Sequence, residues 1–300
     1  MSVFARIAPC SQTWLFLSGE TMKTLFPLAF EKMSGAGNDF IIIDHRRKLL
    51  SREEQPEFAR KVCRRKFSVG ADGVILIEES PEADFKWQFY NADGSVAEMC
   101  GNGARCAARF AFRHGIAGKS MRFETIAGII EAEVLAEEEM VSLRMTDPVD
   151  CQFGRSLELG GQQVAVSSIN TGVPHAVIFV DGSDIPIKEW GREVRNHRLF
   201  QPAGTNVNFI RLLADGRLHV RTYERGVEDE TMACGTGAVA SAIIAALLGK
   251  VASPVEIVTS GGEQLTVVFD LAEAAMIRNV RLQGPARRIY EGHLTAESLL

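Results

Sequence analysis

The sequence predicts an α+β fold of two pseudo-symmetric repeated domains, each a strand-rich, barrel-like unit around a central helix, with a cleft between them. Three observations predict it. A Cys-Gly-x-Gly motif occurs twice, residues at fixed distances on either side of it recur, and the segment after the second copy is apolar nearly all round. Several coincidences in the same order are the mark of an internal repeat, which fixes the architecture before any local element is read.

Superposing Cys100-Gly-Asn-Gly103 on Cys234-Gly-Thr-Gly237 aligns much else. Thirty residues before each cysteine stands a glycine, Gly70 of Gly-Ala-Asp-Gly-Val-Ile-Leu-Ile77 and Gly204 of Gly-Thr-Asn-Val-Asn-Phe-Ile210. Further back, Gly35-Ala-Gly-Asn-Asp-Phe-Ile-Ile-Ile-Asp44 matches Thr171-Gly-Val-Pro-His-Ala-Val-Ile-Phe-Val-Asp181, each a glycine turn followed by an apolar strand ending in Asp. Fifteen residues after each cysteine comes Gly115 or Gly249, and twenty-five after comes Thr125 or Thr259. The seam falls near Arg144–Pro148. The domains are expected at 22–144, with 285–300 returning to it, and at 145–284.

Within each unit an apolar strand leads into an amphipathic helix, in the first copy behind Ser51 and Glu54 at capping-box spacing. A second strand follows, then a third carrying polar residues: Phe89-Tyr-Asn-Ala-Asp-Gly94, and Thr222-Tyr-Glu-Arg-Gly226. Next comes the cysteine and its helix. In copy one Ala104, Ala107, Ala108, Ala111 and Phe112 share a face. In copy two, residues 238–248 are apolar on all sides, which predicts a helix buried all round. Gly115 and Gly249 suit the left-handed position just past a helix end. Strands over 121–134 and 255–269 then return.

Bulk properties narrow the class. The chain has 300 residues, 46% hydrophobic and 24% charged, with a net charge of -5. That is an ordinary globular enzyme composition, and it offers no basic patch for nucleic acid. No apolar run reaches membrane-spanning length. Residues 1–21 hold a short apolar patch, Trp14–Leu17, behind a single Arg6. They read either as a weak signal peptide or as a mobile extension ahead of a start at Met22. Six cysteines, at 10, 63, 100, 106, 151 and 234, form no CxxC pair. A disulfide framework or zinc site is not expected, and reduced thiols in a cytoplasm fit best. Cys63, Cys106 and Cys151 read as small buried apolar residues.

The duplicated motif carries a chemical meaning. The first N–H groups of a helix lack partners within it and carry partial positive charge. Such a terminus binds a carboxylate and stabilises a thiolate. Two copies facing each other would form a cleft with a thiol on each wall. An α-amino carboxylate held there could lose its Cα proton to one thiolate and regain one from the opposite thiol, inverting the centre. One Cys-Gly-x-Gly alone is no more than a small residue in a tight turn; two at equivalent places are harder to explain that way.

At these residues the chain resembles the diaminopimelate epimerase family from about Phe30 to Leu294. The motifs are Gly-Ala-Gly-Asn-Asp-Phe, Asn-Ala-Asp-Gly-Ser, Met-Cys-Gly-Asn-Gly-Ala-Arg-Cys, Tyr-Glu-Arg-Gly and Ala-Cys-Gly-Thr-Gly-Ala. The resemblance implies interconversion of LL- and meso-2,6-diaminoheptanedioate in lysine and peptidoglycan precursor synthesis, without cofactor, pyridoxal phosphate or metal, by a homodimer. It implies Cys100 and Cys234 as the acid/base pair, and substrate contacts from Asn38, Asn91, Asn206, Glu224 and Arg225. Helix-start amides at Gly101, Asn102, Gly235 and Thr236 would take the reacting carboxylate. His175 and Glu224 would tune the thiols, and Tyr290 would lie at the dimer interface. Read on its own, Asn38 could be a turn residue, His175 a satisfied core histidine and Tyr290 ordinary packing. Glu224 and Arg225, adjacent on a strand, face opposite ways and are not expected to pair. Some family members carry glutamine at Gly73 and asparagine at Val173, and the loop 225–231 is one residue longer here, so distal contacts are not carried over at those places.

Other readings stand beside this one. Proline or hydroxyproline racemases share the two-thiol logic. They favour histidine where this chain has Asn102, lack the Tyr-Glu-Arg-Gly strand, and need no distal clamp such as Arg225. A non-catalytic amino-acid-binding relative would have no use for two thiols. A redox switch closing a Cys100–Cys234 disulfide is the third.

Overall fold

The computed structural model describes residues 25–182, 184–272 and 276–300. The expected extension 1–21 therefore lies outside the described residues, as does Cys10. The first unit runs β1 (Leu28–Gly35), β2 (Asn38–Asp44), α1 (Gln55–Val62), β3 (Gly73–Glu78), β4 (Phe85–Asn91), α2 (Gly101–Arg113), β5 (Ser120–Thr125), β6 (Gly128–Val134) and β7 (Met140–Arg144). After the seam come β8 (Val149–Leu159), β9 (Gln162–Asn170), β10 (Pro174–Phe179), α3 (Ile187–Arg195), β11 (Asn206–Leu212), β12 (Leu218–Glu224) and β13 (Asp229–Thr231). Then follow α4 (Gly235–Leu247), β14 (Val255–Thr259), β15 (Gln264–Leu271), β16 (Ile277–Pro285) and β17 (Arg287–Leu294).

The repeat is visible in the strand pairing. From β1 to β7 successive pairs are antiparallel, parallel, antiparallel, parallel, antiparallel, antiparallel. The series β9, β10, β11, β12, β14, β15, β16 repeats that sequence of directions. An outer strand lies antiparallel against the first strand of each series: β8 on β9, and the C-terminal β17 on β1. Pairing of β16 with β7 joins the two units.

Each unit curls around its cysteine-bearing helix. α2 touches β1, β2, β3, β6 and β7, α4 touches β9 to β12 and β14 to β16, and the two helices touch each other. The period-2 alternation of a strand explains how one segment serves two layers. Phe40, Ile42, Ile75 and Ile77 face α2, whereas Ile41, Ile43, Val74 and Leu76 pack outward under α1. Likewise Val177 and Ile210 face α4, and Ala176, Ile178 and Phe209 pack under α3. Residues 237–245 of α4 are all buried, as its all-round apolar sequence requires. A buried Ile such as Ile243 or Ile244 contributes about 1.5–3 kcal/mol by leaving water, so this helix has no stable existence outside the barrel.

Both central helices stop the same way. Gly115 (φ 63°) and Gly249 (φ 70°) adopt the left-handed conformation that other residues avoid. Ile116 N–H donates to Ala111 O and Gly115 N–H to Phe112 O; Lys250 donates to Ala245 O and Gly249 to Ala246 O. These paired bonds satisfy the last orphan carbonyls of each helix.

Three local expectations need correction. The segments 121–134 and 255–269 are each two strands of a hairpin, turning at residues 126–127 and 260–263. The capping box before α1 is half formed: Glu54 accepts from Ser51 N–H, no side chain caps the helix, and it begins at Gln55. Cys63 and Cys106 are buried, but Cys151 is exposed. It lies on β8, whose register against β9 shifts twice, so the alternation that would have turned it inward is lost.

Candidate active site

The site is built from the two helix starts. Cys100 is the N-cap of α2 (φ -147°, ψ 116°) and Cys234 the N-cap of α4 (φ -121°, ψ 113°). Their extended backbones match, as repeated positions should. Cys100 O accepts from Ala104 N–H and Cys234 O from Ala238 N–H, closing the first turn of each helix. Both thiols are half-buried. Burial pushes the Cys100 thiol above its ordinary range, opposed by the Gly103 and Asn102 amides. Burial pushes Cys234 up to about 12, opposed by the Thr236 hydroxyl and the Gly237 and Thr236 amides. The helix starts thus act on the sulfurs as their position dictates, yet desolvation outweighs them. The amides of Gly101 and Gly235, first in their helices, have no intrahelical partner.

Around Cys234 runs a hydrogen-bonded relay. His175, fully buried, lies 3.0 Å from the Thr236 hydroxyl through Nε2, and that hydroxyl lies 3.5 Å from Cys234 Sγ. The Asn208 amide nitrogen sits 3.0 Å from His175 Nδ1 and donates to Ala176 O at 3.0 Å, while Asn208 Oδ1 accepts from Thr222 Oγ1 at 2.9 Å. Because Ala176 O can only accept, the Asn208 NH₂ is a donor there, and His175 Nδ1 receives its other hydrogen. Burial, aided by the Arg225 charge, lowers His175 to about 3. A neutral ring with Nδ1 as acceptor carries its proton on Nε2. It therefore donates to Thr236, whose own hydrogen is left for Cys234.

Around Cys100 the partners differ. Asn102 Nδ2 donates to Asn38 Oδ1 at 2.9 Å, and Asn38 Nδ2 donates to Asp72 Oδ2 at 2.9 Å. Asp72 is held by Arg65, which also forks onto Asp39, and Lys32 pairs with Asp39 at 2.8 Å. Asn38, following the Ala36–Gly37 turn, is thus oriented by a charged cluster. In the second unit Asn206, buried, accepts from Arg225 N–H at 2.8 Å, and Arg225 Nη1 donates to Ala203 O.

Glu224 links the halves. Its charge acts on both thiols, and burial raises its own pKa. It forms no ion pair with Arg225 among the described residues, as the strand alternation predicts. Asn91 ends β4 opposite Gly73, exposed, donating to Ser95 Oγ at 3.0 Å. A side chain at Gly73 would meet Phe89 Cε2 and Tyr90 O at 2.6 Å, so the backbone here is packed for glycine. Val173 lies in the turn before β10, its carbonyl accepting from Thr171 N–H at 3.2 Å. Tyr290 is exposed on β17, edge-on to Phe30 at 5.9 Å. Asn208 and Thr222 are additions; both stand in motifs visible in the sequence, and their strand positions signal them only once His175 is known to be their neighbour. Among the described residues no group of three or more His, Cys, Asp or Glu is placed to hold a metal ion.

Comparison with known proteins bears on the family and the fold. The family model described as diaminopimelate epimerase matches residues 30–150 and 167–286, one stretch in each repeat. A diaminopimelate epimerase of Aquifex aeolicus is 46% identical over 282 residues, covering 91% of this chain and 99% of that protein. A solved phenazine biosynthesis protein of the PhzF family from Bacillus anthracis superposes with a TM-score of 0.68 at 17% identity, covering 89% of this chain and 98% of that one. A probable proline racemase from Agrobacterium radiobacter gives 0.64 at 14% identity, covering 89% and 93%. Those two establish a shared fold. The sequence relatives and the twofold match of the family model establish more: this chain belongs to the diaminopimelate epimerase family.

Proposed function

We propose that the chain epimerises LL-2,6-diaminopimelate to the meso form, with Cys100 and Cys234 as the two acid/base groups. The observation that carries the reading is the pair of half-buried thiols capping repeat-related helices that touch, with one carboxylate, Glu224, acting on both. Substrate bound between the helix starts offers its α-carboxylate to the amides of Gly101, Asn102, Gly235 and Thr236. The carboxylate takes up charge as the Cα–H bond breaks, and oriented amides stabilise that charge. One sulfur is then a thiolate and gains the Cα proton. The other is a thiol and gives its proton to the opposite face. The C–H electron pair stays on the substrate throughout, and a reverse turnover exchanges the roles.

Water in the cleft would compete for the carbanion, so closure of the two units over the substrate belongs to the mechanism. The second amino-acid head meets Arg225, Asn38, Asn91 and Asn206; a guanidinium matches a carboxylate in two-pronged fashion. Glu224 contacts the substrate and, with His175, sets the thiol acidities. The domains divide at 22–144 with 285–300, and at 145–284. A second copy of the chain covers Tyr290 and the open edge of β17. Because both thiols must stay reduced, a reducing cytoplasm suits the chemistry; no helix is long and apolar enough to cross a membrane among the described residues.

The test is incubation with LL-diaminopimelate in D₂O under reducing conditions, following Cα deuteration and stereochemistry. Deuterated meso product is expected. No exchange, or exchange with proline alone, refutes the reading.

A further inference from the structure

The most unusual charge in the molecule is Arg105. It lies one turn into α2, five residues beyond Cys100, and is 0% exposed. Its Nε donates to Pro285 O at 3.3 Å and one Nη donates to Asn102 Oδ1 at 2.7 Å. The other, Nη1, is buried without a partner. Among the described residues no carboxylate lies within ion-pair distance. Burying a guanidinium without a counter-ion is costly, and a buried donor left unmade adds to the cost. It is packed closely: a Cβ at Gly284 would stand 2.5 Å from Leu265 Cδ2 and 3.1 Å from the guanidinium carbon. The corresponding residue of the second repeat, five beyond Cys234, is Val239, also fully buried. Packing alone would accept an apolar residue in both places.

We propose that Arg105 is a positioning residue of the Cys100 half-site: it fixes the Asn102 carboxamide, and its buried charge makes Cys100 the first of the two thiols to ionise in the free enzyme. This rests on the two-thiol reading above. The first role follows from the hydrogen bonds. Arg105 holds Asn102 Oδ1, which leaves Asn102 Nδ2 to Asn38. The second follows from what surrounds the guanidinium. On its own helix stand the thiols of Cys100 and Cys106, with the Arg109 cation near Cys106; from the β14–β15 turn comes Glu263, paired with Arg287 at 2.6 Å. The carboxylate whose charge acts on both catalytic thiols is Glu224 of β12, and on the Cys234 side the Arg225 charge falls on His175. Cys106 is fully buried and pushed up to about 12 by desolvation, which leaves Cys100 as the thiol that answers the Arg105 charge. Two thiols in matched helix caps would otherwise share the ionisation. A neutral His175–Thr236 relay on one side and a buried cation on the other separate them.

The experiment is site-resolved alkylation. Full-length protein is treated with iodoacetamide from about pH 6 to about pH 10, a range spanning ordinary thiol ionisation, and each cysteine is read by peptide mass spectrometry, with exposed Cys151 as internal reference. In the wild type Cys100 is expected to label at lower pH than Cys234. In Arg105→Met the Cys100 rate near neutral pH falls on the order of tenfold, and Cys234 is unchanged. In Arg105→Lys, which keeps the charge and loses the planar fork, the labelling order persists while kcat falls on the order of tenfold with KM little changed. Cys234 labelling first in the wild type overturns the proposal, as does a folded Arg105→Met with an unaltered Cys100 profile, or an Arg105→Lys of wild-type kcat. Should Arg105→Met not fold, the wild-type order and the Lys variant decide. Deuterium exchange on the same wild-type sample tests the two-thiol reading separately, since labelling needs no turnover.

Discussion

Gly237 and Gly103 hold the same place, three residues beyond an N-cap cysteine, yet a methyl group added to each should have different effects. At Gly237 the new Cβ would stand 2.4 Å from Asn208 Oδ1, 3.1 Å from Thr222 Oγ1 and 3.3 Å from Cys234 Cβ. Asn208 is fully buried and pinned by hydrogen bonds to His175, Ala176 and Thr222, so it has nowhere to retreat. Overpacking of this kind costs about 1–3 kcal/mol, and displacing Asn208 forfeits a neutral hydrogen bond of about 1 kcal/mol. Alanine recovers roughly 0.5–1 kcal/mol over glycine within a helix. Gly237→Ala should therefore destabilise by about 1–3.5 kcal/mol. At Gly103 the Cβ would meet Ile75 Cδ1 at 3.2 Å and Phe40 ring carbons at 3.5 Å. The end of an isoleucine rotates aside, and the helix-propensity gain nearly cancels the squeeze, so Gly103→Ala should stay within about 1 kcal/mol of wild type. Urea unfolding followed by circular dichroism, with slopes matched between variants, measures both. A Gly103→Ala as damaging as Gly237→Ala, or a neutral Gly237→Ala, would refute the reasoning that the Asn208 network is the rigid element of the second half-site.

Cys100→Ala and Cys234→Ala should each abolish inversion of diaminopimelate; near-normal turnover in either, measured by Cα deuteration, contradicts the two-thiol mechanism. Burial lowers His175 to about 3 in the folded chain, against about 6.5 when unfolded. The folded state binds fewer protons between those values, so its stability is complete above about pH 6.5 and is lost as pH falls toward 3. His175→Gln should flatten that acid limb in thermal melts, and an unchanged limb would show that His175 is not its source. Arg225→Met should raise KM for diaminopimelate by about tenfold or more by removing a charge-assisted contact; an unchanged KM places the distal carboxylate elsewhere. Oxidants should inactivate the enzyme by joining Cys100 to Cys234, and reductant should restore it; irreversible loss with no such disulfide in mass spectra counts against facing thiols.

What the sequence disclosed was what repeats along it. The spacing of Gly70, Cys100, Gly115 and Thr125 against Gly204, Cys234, Gly249 and Thr259 is a one-dimensional signal of a duplicated fold, and the strand directions follow the same order. The all-round apolar composition of α4 announced a helix enclosed by strands. The two N-cap cysteines were legible because a glycine-rich helix start has a local signature. Contacts across the sequence were not. Arg105 and Pro285 are far apart along the chain, as are His175 and Asn208, and nothing local marks them as neighbours. Cys151 misled because a bulged strand breaks the alternation on which burial is read.

Duplication and divergence divide the chemistry between them. Proton abstraction and return on opposite faces require two equivalent groups, and a repeated helix cap supplies them at no cost in new geometry. The same reaction requires them to be inequivalent at any instant, one thiolate and one thiol. A perfect repeat would leave that choice to the substrate alone. Here the repeats differ where it matters: Arg105 against Val239 and Asn102 against Thr236, each pair at the same distance from its cysteine, and Ile75 against Asn208, the residues that a Cβ at Gly103 or Gly237 would meet. These differences change the side chains around the two helix starts while keeping the backbone that presents them. The Cys100 side gains a buried cation and a carboxamide tied to Asn38. The Cys234 side gains a neutral donor chain from Asn208 through His175 to Thr236. Because the helices and strands are common to both halves, this difference lies in side chains alone, and exchanging them pairwise should exchange the order in which the two thiols ionise.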